Sequence, residues 1–154
     1  GTGRTGLLCA TEELIPISPS PKDISMNLKT PAELGYYFPA EFELHRATWL
    51  SWPHKEASWP GKIHTIFPYY AEFVKWLAKS ERICINVRDE AMKAFALSHL
   101  EKAGVDLSQV DFFYFPTNDA WCRDHGPAFL LNPSLEQPKA IVDWGYNAWG
   151  GKYP

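Results

Sequence analysis

The sequence predicts one α/β domain, on three observations. The chain has 154 residues, of which 45% are hydrophobic and 15% aromatic, which is enough apolar side chain for one globular core. Its uncharged apolar runs, such as Ala128 to Leu131, fall far short of the roughly 20 residues that a membrane helix needs. Strand-like apolar runs alternate with helical patterns along the chain, and this alternation indicates an α/β fold.

The first predicted elements are a strand, a helix and a second strand. The strand is the run Ala47 to Trp52, which Pro53 ends. Apolar side chains at helical spacing predict an amphipathic helix over 65–79, preceded by a loop over 54–62. The apolar run 82–87 then predicts the second strand.

A second helix and three more strands follow. Asp89 is a good N-cap for the helix, and Gly104 stands where a left-handed C-terminal cap belongs. Apolar runs predict the strands 111–115, 128–131 and 140–144. A polar, proline-containing connection separates the last two strands and favours a hairpin. The predicted order is therefore strand, helix, strand, helix, strand, strand, strand.

The first 30 residues differ in composition from the rest. Gly, Thr, Ser and Pro dominate, and the proline-rich run 15–21 suits neither a regular helix nor a central strand. No signal-peptide pattern is present. We expect a disordered tail or an upstream extension over 1–30, and a domain over 31–154.

Charge and cysteine content narrow the class of protein. Fifteen basic and 18 acidic residues give a net charge of −3. Since Lys and Arg form no cluster, we expect neither a nucleic acid nor a membrane surface as partner. Three cysteines, Cys9, Cys84 and Cys122, lack CxxC spacing. An odd number without that spacing argues against a disulfide framework and favours the cytoplasm.

Side chains capable of catalysis or ligand binding are most concentrated in the loop 116–127, between two predicted strands. Residues 116–125 contain two aspartates, an arginine, a histidine, a cysteine and a tryptophan. Loops at the carboxyl ends of strands commonly hold ligand sites in α/β folds. The same residues also suit a purely structural loop, because Asn118 and Asp119 favour Asx turns.

Three functional interpretations compete with the structural one. Cys122 and His125 could form a nucleophile and base. Cys122, Asp124 and His125 could hold a metal ion, although the paired spacing of zinc sites is missing. In the third interpretation the loop grips a substrate: Asp124 accepts two parallel N–H bonds from a planar guanidinium, and Trp121 lies against the substrate's stem or cation.

A second dense segment spans 143–153. It contains two tryptophans, two tyrosines and three glycines, which indicate a tightly turning aromatic loop. The segment is either a packing corner or the wall of a pocket that adjoins the first loop.

Three sequence blocks, in order, resemble the agmatine deiminase family, which also contains bacterial peptidyl-arginine deiminases. The first block is 38–43 (FPAEFE) followed by 47–54 (ATWLSWPH), the second is 116–127 (PTNDAWCRDHGP), and the third is 143–153 (DWGYNAWGGKY). The similarity covers about residues 36–154.

This resemblance implies a fold and a reaction. The fold is a five-bladed, pseudo-symmetric α/β propeller (pentein), of which this chain would be the N-terminal part. The reaction is hydrolysis of a guanidinium to a ureido group with release of ammonia, through a cysteine thiolate and a histidine and without metal or organic cofactor. We therefore expect a small cationic guanidine as partner, namely agmatine converted to N-carbamoylputrescine in putrescine synthesis.

The resemblance also assigns residues. Asp124 matches the guanidinium-binding aspartate and Trp121 the neighbouring pocket tryptophan, while Asp119 is expected to support the site or to meet the substrate amine. Cys122 stands at a variable position and is not expected to be the nucleophile. The family's Gly-rich His-Cys segment and its His-x-Asp segment do not occur in these 154 residues, so we expect binding residues here without the nucleophile or the catalytic histidine.

The substrate prediction leaves alternatives open. Ala148, Trp149 and Gly150 follow Tyr146-Asn147 without the arginines that the peptidyl-arginine branch uses there, which favours agmatine. A peptidyl-arginine or other guanidine deiminase, and a non-catalytic module that binds cations, remain the alternatives. We expect the open strand edges of an incomplete propeller to favour self-association.

Overall fold

A computed structural model of the chain describes residues 29–151. The tail predicted for 1–30 therefore lies outside the described residues except for Lys29 and Thr30, and the domain boundary at residue 31 stays a prediction. The strands are β1 (Ala47–Ser51), β2 (Arg82–Val87), β3 (Val110–Tyr114), β4 (Ala128–Leu131) and β5 (Lys139–Val142). The helices are α1 (Ile63–Leu77), α2 (Glu90–Ala103) and the single turn α3 (Cys122–His125), with 3₁₀ turns at Glu56–Ser58 and Leu107–Gln109.

The predicted order of strands and helices is confirmed. β2 and β4 have the predicted bounds, and α2 has both predicted caps: Asp89 accepts a bond from the Met92 N–H at 2.8 Å, and Gly104 has a φ of +72°. The 3₁₀ turn Glu56–Ser58 and α3 lie within segments that the sequence analysis treated as loop. Both are too short for apolar residues to recur at helical spacing, so the sequence pattern could not predict them.

The first three strands form a parallel sheet in the order β1-β2-β3. β2 is central, pairing Leu50 with Ile85 on one side and Ile85 with Phe112 on the other. β4 and β5 form a separate antiparallel hairpin, as expected. Tyr37 extends this hairpin through two backbone hydrogen bonds to Leu131, each 2.9 Å long.

The core lies between one face of the parallel sheet and the two long helices. Alternate residues of β2 point into it, and Ile83 and Ile85 are fully buried. Val74 of α1 and Leu100 of α2 meet them and are fully buried as well. Because the strands are parallel, the loops that follow β1 and β3 leave the sheet at the same edge. Among residues 29–151, no helix is both long and apolar enough to cross a bilayer.

Candidate functional site

Two segments on either side of the β4–β5 hairpin meet at one cavity. The loop between β3 and β4 lines one side, and the segment after β5 lines the other. The cavity has a volume of about 180 Å³ and is lined by Asn118, Asp119, Trp121, His125, Tyr146, Ala148 and Trp149. These are the two segments selected from the sequence for their chemistry, and of the two interpretations left open for 143–153 the geometry favours the pocket wall over the packing corner.

A larger groove of about 410 Å³ lies elsewhere, beside the C-terminal ends of α1 and α2. Its lining mixes both signs of charge, from Lys75, Lys79, Glu81 and Asp106. It contains none of the sequence blocks and none of the predicted site residues. We therefore place the candidate site at the smaller, aromatic cavity.

A thiol–hydroxyl contact fixes α3 to the sheet. The Sγ of Cys122 lies 3.1 Å from the Oγ of Ser51, the last residue of β1. Ser51 is fully buried and also accepts a bond from Asn86 Nδ2 at 3.3 Å. Tyr70 Oη donates to the Ser51 carbonyl at 2.9 Å. This small polar cluster anchors the loop that carries the candidate binding residues.

Burial controls ionisation in this cluster. It raises the pKa of the Cys122 thiol, and the hydrogen bond to Ser51 offsets only part of the rise. Burial also raises the pKa of Tyr70 above its usual range, with a smaller contribution from the nearby Cys122. A thiol with a raised pKa is a poor source of thiolate. Cys122 therefore has the surroundings of a structural cysteine.

Asp119 is held from two directions. Its Oδ2 accepts a 2.8 Å bond from Ser58 Oγ, and its Oδ1 accepts a 2.8 Å bond from the Ala120 N–H. Beside it, the ring of Trp121 lies 5.7 Å from that of Trp59, centroid to centroid, at a tilt of 32°. Both predicted residues line the cavity, so the structure brings Asp119 and Trp121 together.

Asp124 occupies a different position. It lies on α3, is exposed and does not line the cavity, although its neighbour His125 does. Within 29–151 its carboxylate makes no hydrogen bond or salt bridge. Arg123 is not its partner, since this guanidinium pairs with Glu41 at 2.8 Å. Both carboxylate oxygens of Asp124 are thus uncommitted among the described residues.

The far wall of the cavity is a left-handed turn over residues 148–151. The values of φ are +52° at Ala148, +59° at Trp149, +74° at Gly150 and +79° at Gly151. Asn147 closes the turn, accepting from the Gly151 N–H at 2.8 Å and, through Oδ1, from the Gly150 N–H at 3.0 Å. Left-handed backbone at a non-glycine residue costs about 1–2 kcal/mol, and such strain concentrates at functional sites.

Cys122 and His125 share the single turn α3, but no hydrogen bond joins their side chains among residues 29–151. The Cys122 thiol lies against the Ser51 hydroxyl, and the ring of His125 lies 6.4 Å from that of Tyr146. The nucleophile–base interpretation therefore has no support in the geometry. No group of three or more His, Cys, Asp or Glu side chains in the described part of the chain is arranged to hold a metal ion. The presence of His125 and Asn118 in the cavity wall was not anticipated, because neither residue has a distinctive spacing.

Comparison with known proteins gives independent evidence for the family to which this chain is related. The family model described as Porphyromonas-type peptidyl-arginine deiminase matches residues 37–154. A curated relative from Vibrio parahaemolyticus, named a putative agmatine deiminase, is 34% identical over 125 residues. The match covers 80% of this chain and 32% of the relative. The chain thus spans about a third of the length of the curated relatives it matches.

Solved structures agree with this comparison. A putative agmatine deiminase superposes with a TM-score of 0.65 at 28% identity, covering 80% of this chain and 33% of the other. A cysteine-to-serine variant of C. jejuni agmatine deiminase with substrate bound superposes with a TM-score of 0.56 at 26% identity, covering 71% and 29%. The predicted α/β class and membership of the pentein fold are confirmed, whereas the count of five blades stays a prediction.

Proposed function

The chain belongs to the Porphyromonas-type peptidyl-arginine deiminase family, and from this membership we propose that it supplies the guanidinium-binding part of an agmatine deiminase. The observation that carries the proposal is the cavity itself. Its walls come from loop 116–127 and from segment 143–151, two of the three blocks on which the resemblance rests. Two of these blocks line one cavity, which supports a shared ligand.

The chemistry of the cavity suits a cation with an aliphatic stem. Indole and phenol rings from Trp121, Trp149 and Tyr146 line it. Aromatic faces attract cations and also cover methylene groups. Agmatine presents a planar guanidinium at one end, an ammonium at the other and methylenes between them. Aromatic walls with carboxylates nearby match each of these parts.

We propose that Asp119 and Asp124 have different roles in binding the substrate. The oxygens of Asp119 each accept a bond from the protein already, which suits a carboxylate that shapes the site and meets the substrate at its edge. Asp124 has both oxygens uncommitted among residues 29–151, as a bidentate contact with a guanidinium requires. Asp124 does not line the cavity, so its proposed role as the guanidinium-binding carboxylate, with Trp121 as the neighbouring wall, rests on its match to the family's aspartate and on these uncommitted oxygens.

The proposed reaction joins water to the guanidinium carbon. Agmatine and water give N-carbamoylputrescine and ammonia, a hydrolysis of a C–N bond. Carboxylates that fix the plane of the guanidinium would orient its carbon for attack. The nucleophile of the family is a cysteine thiolate, and the raised pKa of Cys122 and its bond to Ser51 support our view that Cys122 does not fill this role.

Further proposals concern the pathway, the cellular location and the self-association of the protein. We propose a role in putrescine synthesis and a cytoplasmic location, the latter on the odd number of cysteines. We also propose self-association. β1 and β3 are the outer strands of the three-stranded sheet, and the unpaired backbone groups of such strands can pair with another chain.

Calorimetric titration of the 154-residue chain with three ligands tests the proposed substrate class. Agmatine should bind more tightly than putrescine, because putrescine lacks the planar guanidinium. Agmatine should also bind more tightly than a peptide that ends in arginine. Equal affinity for agmatine and putrescine would favour the non-catalytic cation-binding module. Tighter binding of the peptide would favour a peptidyl-arginine deiminase.

An ammonia-release assay on the same samples tests the assignment of Cys122. We expect no release above the buffer rate from the chain alone, because the nucleophile and catalytic histidine segments have no counterpart in it. Robust turnover would contradict this assignment. Cys122→Ser would then show directly whether its thiol is the nucleophile.

A further inference from the structure

The turn that follows β1 reaches across to the loop that carries the candidate binding residues. It makes two successive contacts there. Ser58 Oγ donates to Asp119 Oδ2 at 2.8 Å, and the ring centroids of Trp59 and Trp121 are 5.7 Å apart. Both partners, Asp119 and Trp121, line the cavity, whereas Ser58 and Trp59 do not. Ser58 and Trp59 therefore contact two cavity-lining residues without lining the cavity themselves.

The turn has its own internal support. The Ser58 N–H donates to the Lys55 carbonyl at 3.1 Å, and the Trp59 N–H donates to the Glu56 carbonyl at 3.0 Å. The Glu56 side chain accepts from the Gly61 N–H at 2.6 Å and closes the loop on itself. A turn with these bonds can hold Ser58 and Trp59 in place for contact with another loop.

Sheet topology explains why the two loops meet. β1 and β3 are parallel to β2 and flank it, so the segments after their carboxyl ends emerge at one edge of the sheet. Ser58 and Asp119 are 61 residues apart in the sequence. Their contact is thus a product of the fold, and no local pattern predicts it.

These contacts restrict the two wall residues. A hydroxyl that donates to an ionised carboxylate makes a charge-assisted bond and fixes the rotamer of that carboxylate. An indole packed against a second indole loses freedom of rotation. We propose that Ser58 and Trp59 form a clamp that positions Asp119 and Trp121 for a guanidinium ligand. The inference rests on the proposed function and names two positioning residues for it.

A double-mutant cycle tests the Ser58 half of the clamp by calorimetry with agmatine. Ser58→Ala should weaken binding by roughly threefold to tenfold, the net worth of one hydrogen bond. Ser58→Thr keeps the hydroxyl and should restore most of the affinity. In an Asp119→Ala background Ser58→Ala should have little further effect, because the side chain that accepts from its hydroxyl is gone. Ser98→Ala, which removes a hydroxyl from the exposed surface of α2, is the matched control.

A ligand-free measurement separates failure of the clamp from failure of the proposed function. Two indoles this close give an exciton band in far-ultraviolet circular dichroism. Trp59→Phe should abolish this band, Ser58→Ala should weaken it and Ser58→Thr should keep it. If Ser58→Ala changes neither the band nor the affinity while Asp119→Ala weakens binding, the clamp is wrong and the function stands. If the wild-type chain does not bind agmatine, the binding proposal fails, and the clamp is then tested by circular dichroism alone. An unchanged exciton band in Ser58→Ala would contradict the clamp.

Discussion

The sulfur of Cys122 lies 3.1 Å from the hydroxyl oxygen of Ser51, although 71 positions separate the two residues. Ser51 ends β1 and Cys122 begins α3, so this single contact ties the candidate binding loop to the edge strand of the sheet. The thiol is half-buried and occupied by a structural partner. These surroundings suit a structural role for Cys122.

Cys122 should react slowly with iodoacetamide. Burial raises the pKa of its thiol, so its alkylation should begin at a more alkaline pH than that of a small model thiol. The Ser51 hydrogen bond lowers this pKa, so Ser51→Ala should slow the reaction further. Peptide mass spectrometry, which resolves Cys122 from Cys84, measures both rates. Alkylation at neutral pH as fast as that of the model thiol would show an activated cysteine and contradict the structural role.

Gly150→Ala should weaken agmatine binding, whereas Gly145→Ala should not. A Cβ added at either glycine meets no atom within 4 Å, but only Gly150 of the two has a positive φ, of +74°. Left-handed backbone costs an alanine about 1–2 kcal/mol, so the native turn should be populated roughly tenfold less often. Calorimetry with agmatine on both variants provides the comparison. Equal effects of the two substitutions would show that the left-handed turn does not shape the site.

His99 should make stability depend on pH. It packs among the rings of Trp52, Phe67 and Phe95, and its pKa is lowered from 6.5, first by burial and then by Lys102. The unfolded chain therefore binds the proton more readily than the folded chain does. The stabilising contribution is present above the ordinary value of 6.5 and is lost as the pH falls through the lower folded pKa.

Urea unfolding at a series of pH values measures this effect. His99→Phe keeps an aromatic ring at the site and should reduce the loss of unfolding free energy on the acid side. His64→Gln removes an exposed histidine of α1 and should leave the dependence as it is in the wild type. An unaltered acid-side slope in His99→Phe would show that other groups control the pH response.

The sequence predicted those strands and helices whose signals, such as apolar patterns and helix caps, lie within the element itself. β2 is a buried apolar strand that pairs on both sides, and α2 begins at a side-chain cap on Asp89 and ends at the left-handed Gly104. Each of these signals lies within the element that it defines. The meeting of loop 116–127 with segment 143–151 follows from the hairpin predicted between them, since Ala128 pairs with Val142 and brings the two flanking segments side by side.

Two features of the site escaped prediction for different reasons. The bond from Ser58 to Asp119 exists because parallel strands bring their carboxyl ends to one edge, so it depends on the tertiary fold. The left-handed backbone of Ala148 and Trp149 is closed locally by Asn147, but both residue types disfavour positive φ, so their identity does not indicate it.

The most direct test of the account compares two neutralising substitutions by titration with agmatine. Asp124→Asn removes the carboxylate proposed to hold the guanidinium, and Glu136→Gln removes an equal charge from the exposed hairpin connection. We expect Asp124→Asn to weaken agmatine binding by roughly tenfold or more, since hydrogen bonds to charged groups are worth about 1.5–3 kcal/mol, and Glu136→Gln to bind agmatine as the wild type does. Equal affinities in the two variants would contradict the assignment of Asp124.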